Sequence, residues 1–218
     1  MPRRRKVFSA CPYCGKSGKM SREHVIPQGL FSNGLPGDLP KIPVCELCNN
    51  KKSRYDNYLR DFLLLDMHSC DQPEARELFP RLERAIPRKQ SELAFHAMQS
   101  RLVSLYTPSK VFAGFAYATD LPKEPITTAL EYVTRGLYRY YYNDMLPLKS
   151  TFVVMRWRDI DAIRDQFLTF LYMGAALKRI GDGRVFECTY ARAIDKPEVS
   201  AWFLRFFKGV LFFVFTNR

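Results

Sequence analysis

Four of the six cysteines in this 218-residue chain fall into two Cys-x-x-Cys pairs, Cys11/Cys14 and Cys45/Cys48, separated by 30 residues. Zinc takes four ligands in a tetrahedron, and two such knuckles supply four thiolates without long backbone excursions. This spacing therefore predicts a structural zinc site in residues 11–54. An iron–sulfur centre would use the same four ligands. A redox pair would need a strand–helix context that neither knuckle has. Zinc replaces a hydrophobic core that so short a segment lacks, so its removal should unfold the segment. Cys70 and Cys188 have no partner in the pattern and read as small buried hydrophobes.

Between and beside the knuckles lie Glu23-His24-Val25-Ile26-Pro27 and Cys48-Asn49-Asn50-Lys51-Lys52-Ser53. In this order, Cys11/Cys14, Glu23-His24 with Pro27, and Cys45/Cys48-Asn49 with Lys52 resemble the HNH endonuclease family, whose ββα-metal unit carries these elements. The resemblance covers about residues 8–66. It implies that His24 is the general base and that Glu23 and Asn49 hold a catalytic divalent cation, Mg2+ or Mn2+, distinct from the zinc. It also implies cleavage to a 5′-phosphate and a 3′-hydroxyl.

The chemistry of the residues is compatible with these roles. An imidazole with a pKa near 6.5 accepts a proton near neutral pH, and carboxylate and amide oxygens suit magnesium or manganese. Adjacent strand residues point to opposite faces, so Glu23 and His24 share a target only if the chain bends at the strand end. Asn49 has a second reading, as the N-cap of the following helix. Many family members place an Asn or His before the second knuckle to orient the base, and Leu39–Val44 offers none. Asn33 is the only asparagine in the connecting loop, and Lys41 cannot accept the imidazole N–H. Lys41, Lys51, Lys52 and Arg54 are possible phosphate contacts, Lys52 first among them by the resemblance, with a structural role, its stem packed against the knuckle, as an equal reading of Lys52.

The rest of the composition sets limits. Hydrophobic residues make up 47% and charged residues 26%, enough for a packed core and unlike a disordered tail. The formal net charge is +12, of which +8 lies in residues 1–60, including the arm Arg3-Arg4-Arg5-Lys6. Such a balance favours polyanionic partners without identifying the polyanion; the resemblance points to DNA first and RNA next. No apolar run approaches the roughly 20 residues that span a bilayer. A soluble protein of the reducing cytoplasm, with no membrane partner, is expected.

These side chains must be held by elements that the patterning also indicates. One strand should end at His24-Val25-Ile26, stopped by Pro27, and a second should cover Lys41–Val44. A helix should follow over 49–66, because Tyr55, Leu59, Phe62 and Leu63 recur every three or four residues. Residues 70–89 read as turns and a brief helix, 91–106 as a helix, and Pro125 to Tyr142 as another. Thr151–Trp157 reads as a strand and 158–174 as a helix. Three antiparallel strands are expected at Arg184–Ala193, Ser200–Phe207 and Gly209–Thr216, the last two joined by a tight turn at Lys208-Gly209.

The expected class is α+β: an N-terminal zinc-bound unit over 8–66, then a mixed domain over 67–218 with a mainly antiparallel sheet. The second domain carries no catalytic motif and could mediate oligomerisation or bind a protein. The run Tyr138-Arg139-Tyr140-Tyr141-Tyr142 reads as core packing rather than base stacking, and His68 and His96 as ordinary histidines. Two further functions fit the sequence: a catalytically silent nucleic-acid-binding module, and an interaction protein whose zinc only organises a surface.

Overall fold

The computed structural model describes residues 10–66, 68–85, 93, 101–118, 122–156 and 176–218. The fold is mixed α+β. Strands β1 (Met20–His24) and β2 (Lys41–Cys45) pair antiparallel, with Glu23 opposite Ile42 and His24 opposite Lys41. A 3-10 turn at Gln28–Leu30 begins their connection. Helix α1 (Glu46–Leu65) leaves β2 directly, with Cys45 as its N-cap residue. Two short helices follow, α2 (Pro73–Arg76) and α3 (Phe79–Ala85).

Strands β3 (Arg101–Tyr106) and β4 (Phe112–Ala118) form a separate hairpin. This corrects the helix expected over 91–106, at least for its C-terminal part. Thr107, Lys110 and Val111 close a hydrogen-bonded loop in which Lys110 adopts φ 62°, and the reversal lets Leu102–Leu105 pair across to Gly114–Tyr117. Of the remainder of that stretch only Leu93, in a helix, is described. His96 and the helix expected over 158–174 lie outside the described residues.

Helix α4 (Lys123–Tyr142) buries Ile126, Leu130, Val133 and Leu137 along one stripe and packs on α1. It ends at Asn143, which takes the left-handed conformation at φ 52°. The five-stranded antiparallel sheet has the order β5-β9-β8-β7-β6, with β5 Thr151–Arg156, β6 Ala176–Ile180, β7 Phe186–Arg192, β8 Ser200–Phe206 and β9 Val210–Asn217. The sequence patterning missed β6. The turn between β8 and β9 centres on Phe207 and Lys208, both at positive φ, one residue earlier than expected.

Trp202, Leu204 and Phe206 of β8 belong to the same buried cluster as Val25, Leu59 and Leu63, so the N-terminal ββα segment and the sheet share one core. Gly136 lets α4 approach the N-terminal segment closely: a Cβ there would lie 2.7 Å from Val25 Cγ1 and 3.0 Å from Tyr13 Oη. Tyr138 and Tyr141 of the tyrosine run pack inward, Tyr141 stacking on Tyr190 at 4.6 Å between ring centroids and Tyr138 donating to the Pro197 carbonyl at 2.8 Å, while Tyr140 is exposed. Cys188 is buried, Cys70 half-buried and His68 exposed. No described helix is long and apolar enough to cross a membrane.

Candidate metal centre and adjoining polar cavity

The two knuckles meet because β1 and β2 are paired and α1 starts at the end of β2. Cys11 and Cys14 sit on a tight turn closed by the Gly15 N–H to the Cys11 carbonyl, 2.8 Å. Cys45 is the helix N-cap and Cys48 lies one turn into α1. The four sulfurs lie within 4.8 Å of one another, and Cys14 Sγ is 3.7 Å from Cys45 Sγ. A tetrahedral zinc with Zn–S near 2.3 Å requires sulfurs about 3.8 Å apart, so the four thiols fit a structural zinc. The backbone N–H of Cys48 pulls the Cys45 thiol down to about 7, while burial raises Cys11 and Cys48. Neutral thiols packed this closely need a cation to make all four thiolates.

Beside this cluster lies a cavity of about 220 Å³ lined by Glu23 from β1, by Pro27, Gln28 and Gly29 from the turn, and by α1. The α1 contribution is Asn49, Ser53, Asp56, Asn57 and Arg60, a polar stripe at helical spacing. Glu23 and Asn49, expected as cation ligands, therefore share one cavity. The alternative reading of Asn49 as an N-cap is corrected, since the helix begins three residues earlier, at Glu46.

His24 is not part of the cavity wall. Its partner across the strand pair is exposed Lys41, whereas Glu23 faces the side of Ile42, as alternation requires. The imidazole is joined to the cavity through Gln28, whose side-chain amide hydrogen-bonds Nδ1. Gln28 Nε2 lies against Nδ1 and donates to it, which leaves the neutral ring's proton on Nε2; turning the amide over, so that Oε1 accepts from Nδ1–H, frees the Nε2 lone pair. Nε2 is buried and has no hydrogen-bond partner. Burial first, and then the charges of Lys41 and Lys52, hold the His24 pKa below its ordinary value against the opposing effect of Glu23, so the ring is neutral at pH 7. Asn33 does not serve as the orienting amide: it donates to Glu77 at 2.7 Å.

Lys52 requires a correction. Expected as a phosphate contact, it is 0% exposed. Its ammonium donates to Asp56 Oδ2 at 2.6 Å, to the His24 carbonyl at 3.0 Å and to Glu23 Oε1 at 3.3 Å. It thus fastens the end of β1 to α1. Lys41, Lys51 and Arg54 are exposed, as phosphate contacts must be. Arg60, overlooked in the sequence, lines the cavity with its guanidinium fixed by Asp61 (2.7 Å) and Asn57 Oδ1 (3.1 Å).

Asp56, Gln28, Ser53 and Asn57 were overlooked as well. Extending the stripe Leu59–Tyr55 back by one turn places Lys52 and Cys48 on the buried side and Asn49, Ser53 and Asp56 beside it, a signal available in the spacing alone. Burial pushes the Asp56 carboxyl up to about 6 despite the neighbouring Lys52 charge.

No family model, curated protein or solved structure matches this chain. Function has to be read from the side chains themselves.

Proposed function

We propose that this chain is a zinc-stabilised, metal-dependent endonuclease of the HNH type that hydrolyses DNA phosphodiester bonds. The observation that carries the reading is the shared cavity of Glu23 and Asn49, next to the four-cysteine cluster and linked through Gln28 to a neutral imidazole. Oxygen donors of this kind fit a hard divalent cation such as Mg2+ or Mn2+, which when bound supplies positive charge against the charge developing on the leaving oxygen.

The chain's own residues do the rest. His24 Nε2 accepts the proton of the attacking water as its oxygen bonds to phosphorus, and the bond from phosphorus to the 3′ oxygen breaks, that oxygen leaving as the 3′-hydroxyl once protonated by water. With the Gln28 amide turned over, its oxygen accepts from Nδ1–H and leaves the Nε2 lone pair for this proton. Exposed Lys41, Lys51 and Arg54 hold neighbouring phosphates, and the net charge of +8 over residues 1–60 draws the polyanion in. Helix α4 and the sheet supply the core against which α1, and with it Asn49, is fixed.

The test is cleavage of plasmid DNA by the zinc-loaded chain with and without Mg2+ or Mn2+. Cation-stimulated cleavage, lost in His24→Ala with zinc content and fold retained, is expected. A second reading is favoured by the position of His24 outside the cavity wall: a silent nucleic-acid-binding module. Salt-sensitive DNA retention with no cation-stimulated cleavage would select it.

A further inference from the structure

The cavity offers more oxygen ligands than the two the sequence pointed to. Asp56 lies on α1 seven residues beyond Asn49, two helical turns along the same face, and both residues line the cavity with Glu23. Its two carboxylate oxygens are used very differently. Oδ2 accepts from the Lys52 ammonium at 2.6 Å, whereas Oδ1 is buried with no hydrogen-bond partner. A buried carboxylate oxygen without a partner is costly, and native proteins seldom leave one so. If Asp56 served only as counter-ion to Lys52, Oδ2 would do that work alone, and burying Oδ1 without a partner would gain nothing.

We infer that Asp56 is a third protein ligand of the divalent cation, Oδ1 joining Glu23 and Asn49, while Lys52 holds the second oxygen of Asp56 and one oxygen of Glu23. This deepens the endonuclease reading and rests on its cation site. Lys52 acts here as a positioning residue. One ammonium fully buried between two carboxylates fixes both before any cation arrives. With the Arg60 guanidinium in the cavity wall balanced by Asp61, two carboxylates and one ammonium leave a net charge of −1, which attracts a divalent ion and avoids the repulsion of an unneutralised pair. Two carboxylates, an amide oxygen and waters make a hard-oxygen set suited to Mg2+ or Mn2+.

The experiment measures Mn2+ binding to the zinc-loaded full chain by electron paramagnetic resonance of the free ion, with zinc content followed by elemental analysis. Wild type is expected to bind one Mn2+ beyond the zinc. Asp56→Asn and Glu23→Gln should each weaken it by on the order of ten- to a hundredfold, and exposed Glu83→Gln should leave it unchanged. Normal Mn2+ affinity in Asp56→Asn, with affinity lost in Glu23→Gln, overturns the role of Asp56 and leaves the cation site standing. No Mn2+ bound by zinc-loaded wild type overturns both.

Should Asp56→Asn not fold, wild-type crystals soaked in Mn2+ decide the matter. An anomalous peak within about 2.5 Å of Asp56 Oδ1 supports the assignment. A peak on Glu23 and Asn49 that excludes Asp56 refutes it.

Discussion

Replacing Lys52 by methionine separates a buried structural cation from a surface phosphate contact. The side chain is fully buried and its ammonium has three oxygen partners, two of them carboxylates, at 2.6–3.3 Å. Methionine fills a similar volume but leaves Glu23, Asp56 and the His24 carbonyl without their donor. Removing one partner from a buried ion pair costs about 3–5 kcal/mol, and at about 2–4 °C per kcal/mol for a chain of this size the melting temperature should fall by roughly 10 °C.

Exposed Lys51→Met on the same helix should stay within about 0.5 kcal/mol of wild type. Adding Asp56→Asn to Lys52→Met should restore part of the loss, since one uncompensated carboxylate disappears. The assay is reversible urea and thermal unfolding of zinc-saturated protein, followed by circular dichroism. The reasoning is refuted if Lys52→Met costs less than about 1 kcal/mol, and more pointedly if it keeps full stability while the salt slope of DNA binding drops by about 1, the signature of a lost phosphate contact.

Zinc removal by a strong chelator should abolish helical signal from α1 and destabilise the whole chain, because Leu59 and Leu63 share one core with α4 and the sheet; an unchanged melting curve at less than a tenth of a zinc per chain would count against the site. Gly136→Ala should destabilise by about 1–3 kcal/mol through overlap with Val25 and Tyr13, although helix propensity alone would stabilise by about 1 kcal/mol, so the sign of the change in urea midpoint is the test. Burial pushes the Cys188 thiol up to about 12 from an ordinary 9.0, only partly offset by the hydrogen bond with Tyr141. A raised thiol pKa stabilises the fold fully below pH 9 and loses that contribution between 9 and 12, about 2 kcal/mol by pH 10.5. Cys188→Ala should therefore flatten the fall in stability from pH 8 to 10.5, and an unaltered slope would disprove the assignment.

Two features of the N-terminal segment were legible in the residues because they are local. Two-residue spacing between cysteines fixes which thiols can share a metal, and Pro27 and the Tyr55–Leu63 stripe bound the strand and the helix to within a few residues. The meander of β7, β8 and β9 was legible for a similar reason, each strand being an apolar run closed by turn residues. The hairpin of β3 and β4 was not, since Arg101–Tyr106 has a composition that either period accommodates, and the choice falls to the Thr107–Val111 loop that lets the second strand pair back.

The site divides in the same way. Spacing supplied the four cysteines, and the resemblance to HNH nucleases supplied Glu23, His24 and Asn49 as candidates. The helical spacing puts Lys52 on the buried side of α1 but does not say which carboxylates meet its ammonium. Only the docking of the β1 end on α1, a contact across 29 residues between Glu23 and Lys52, brought Glu23 to that charge. The same docking brings Glu23 to Asn49 and Asp56 across one cavity, whereas Gln28 and His24, four residues apart, meet locally. Ligand identity is written in side chains at short range; burial and mutual orientation come from long-range packing that no single stretch of sequence contains.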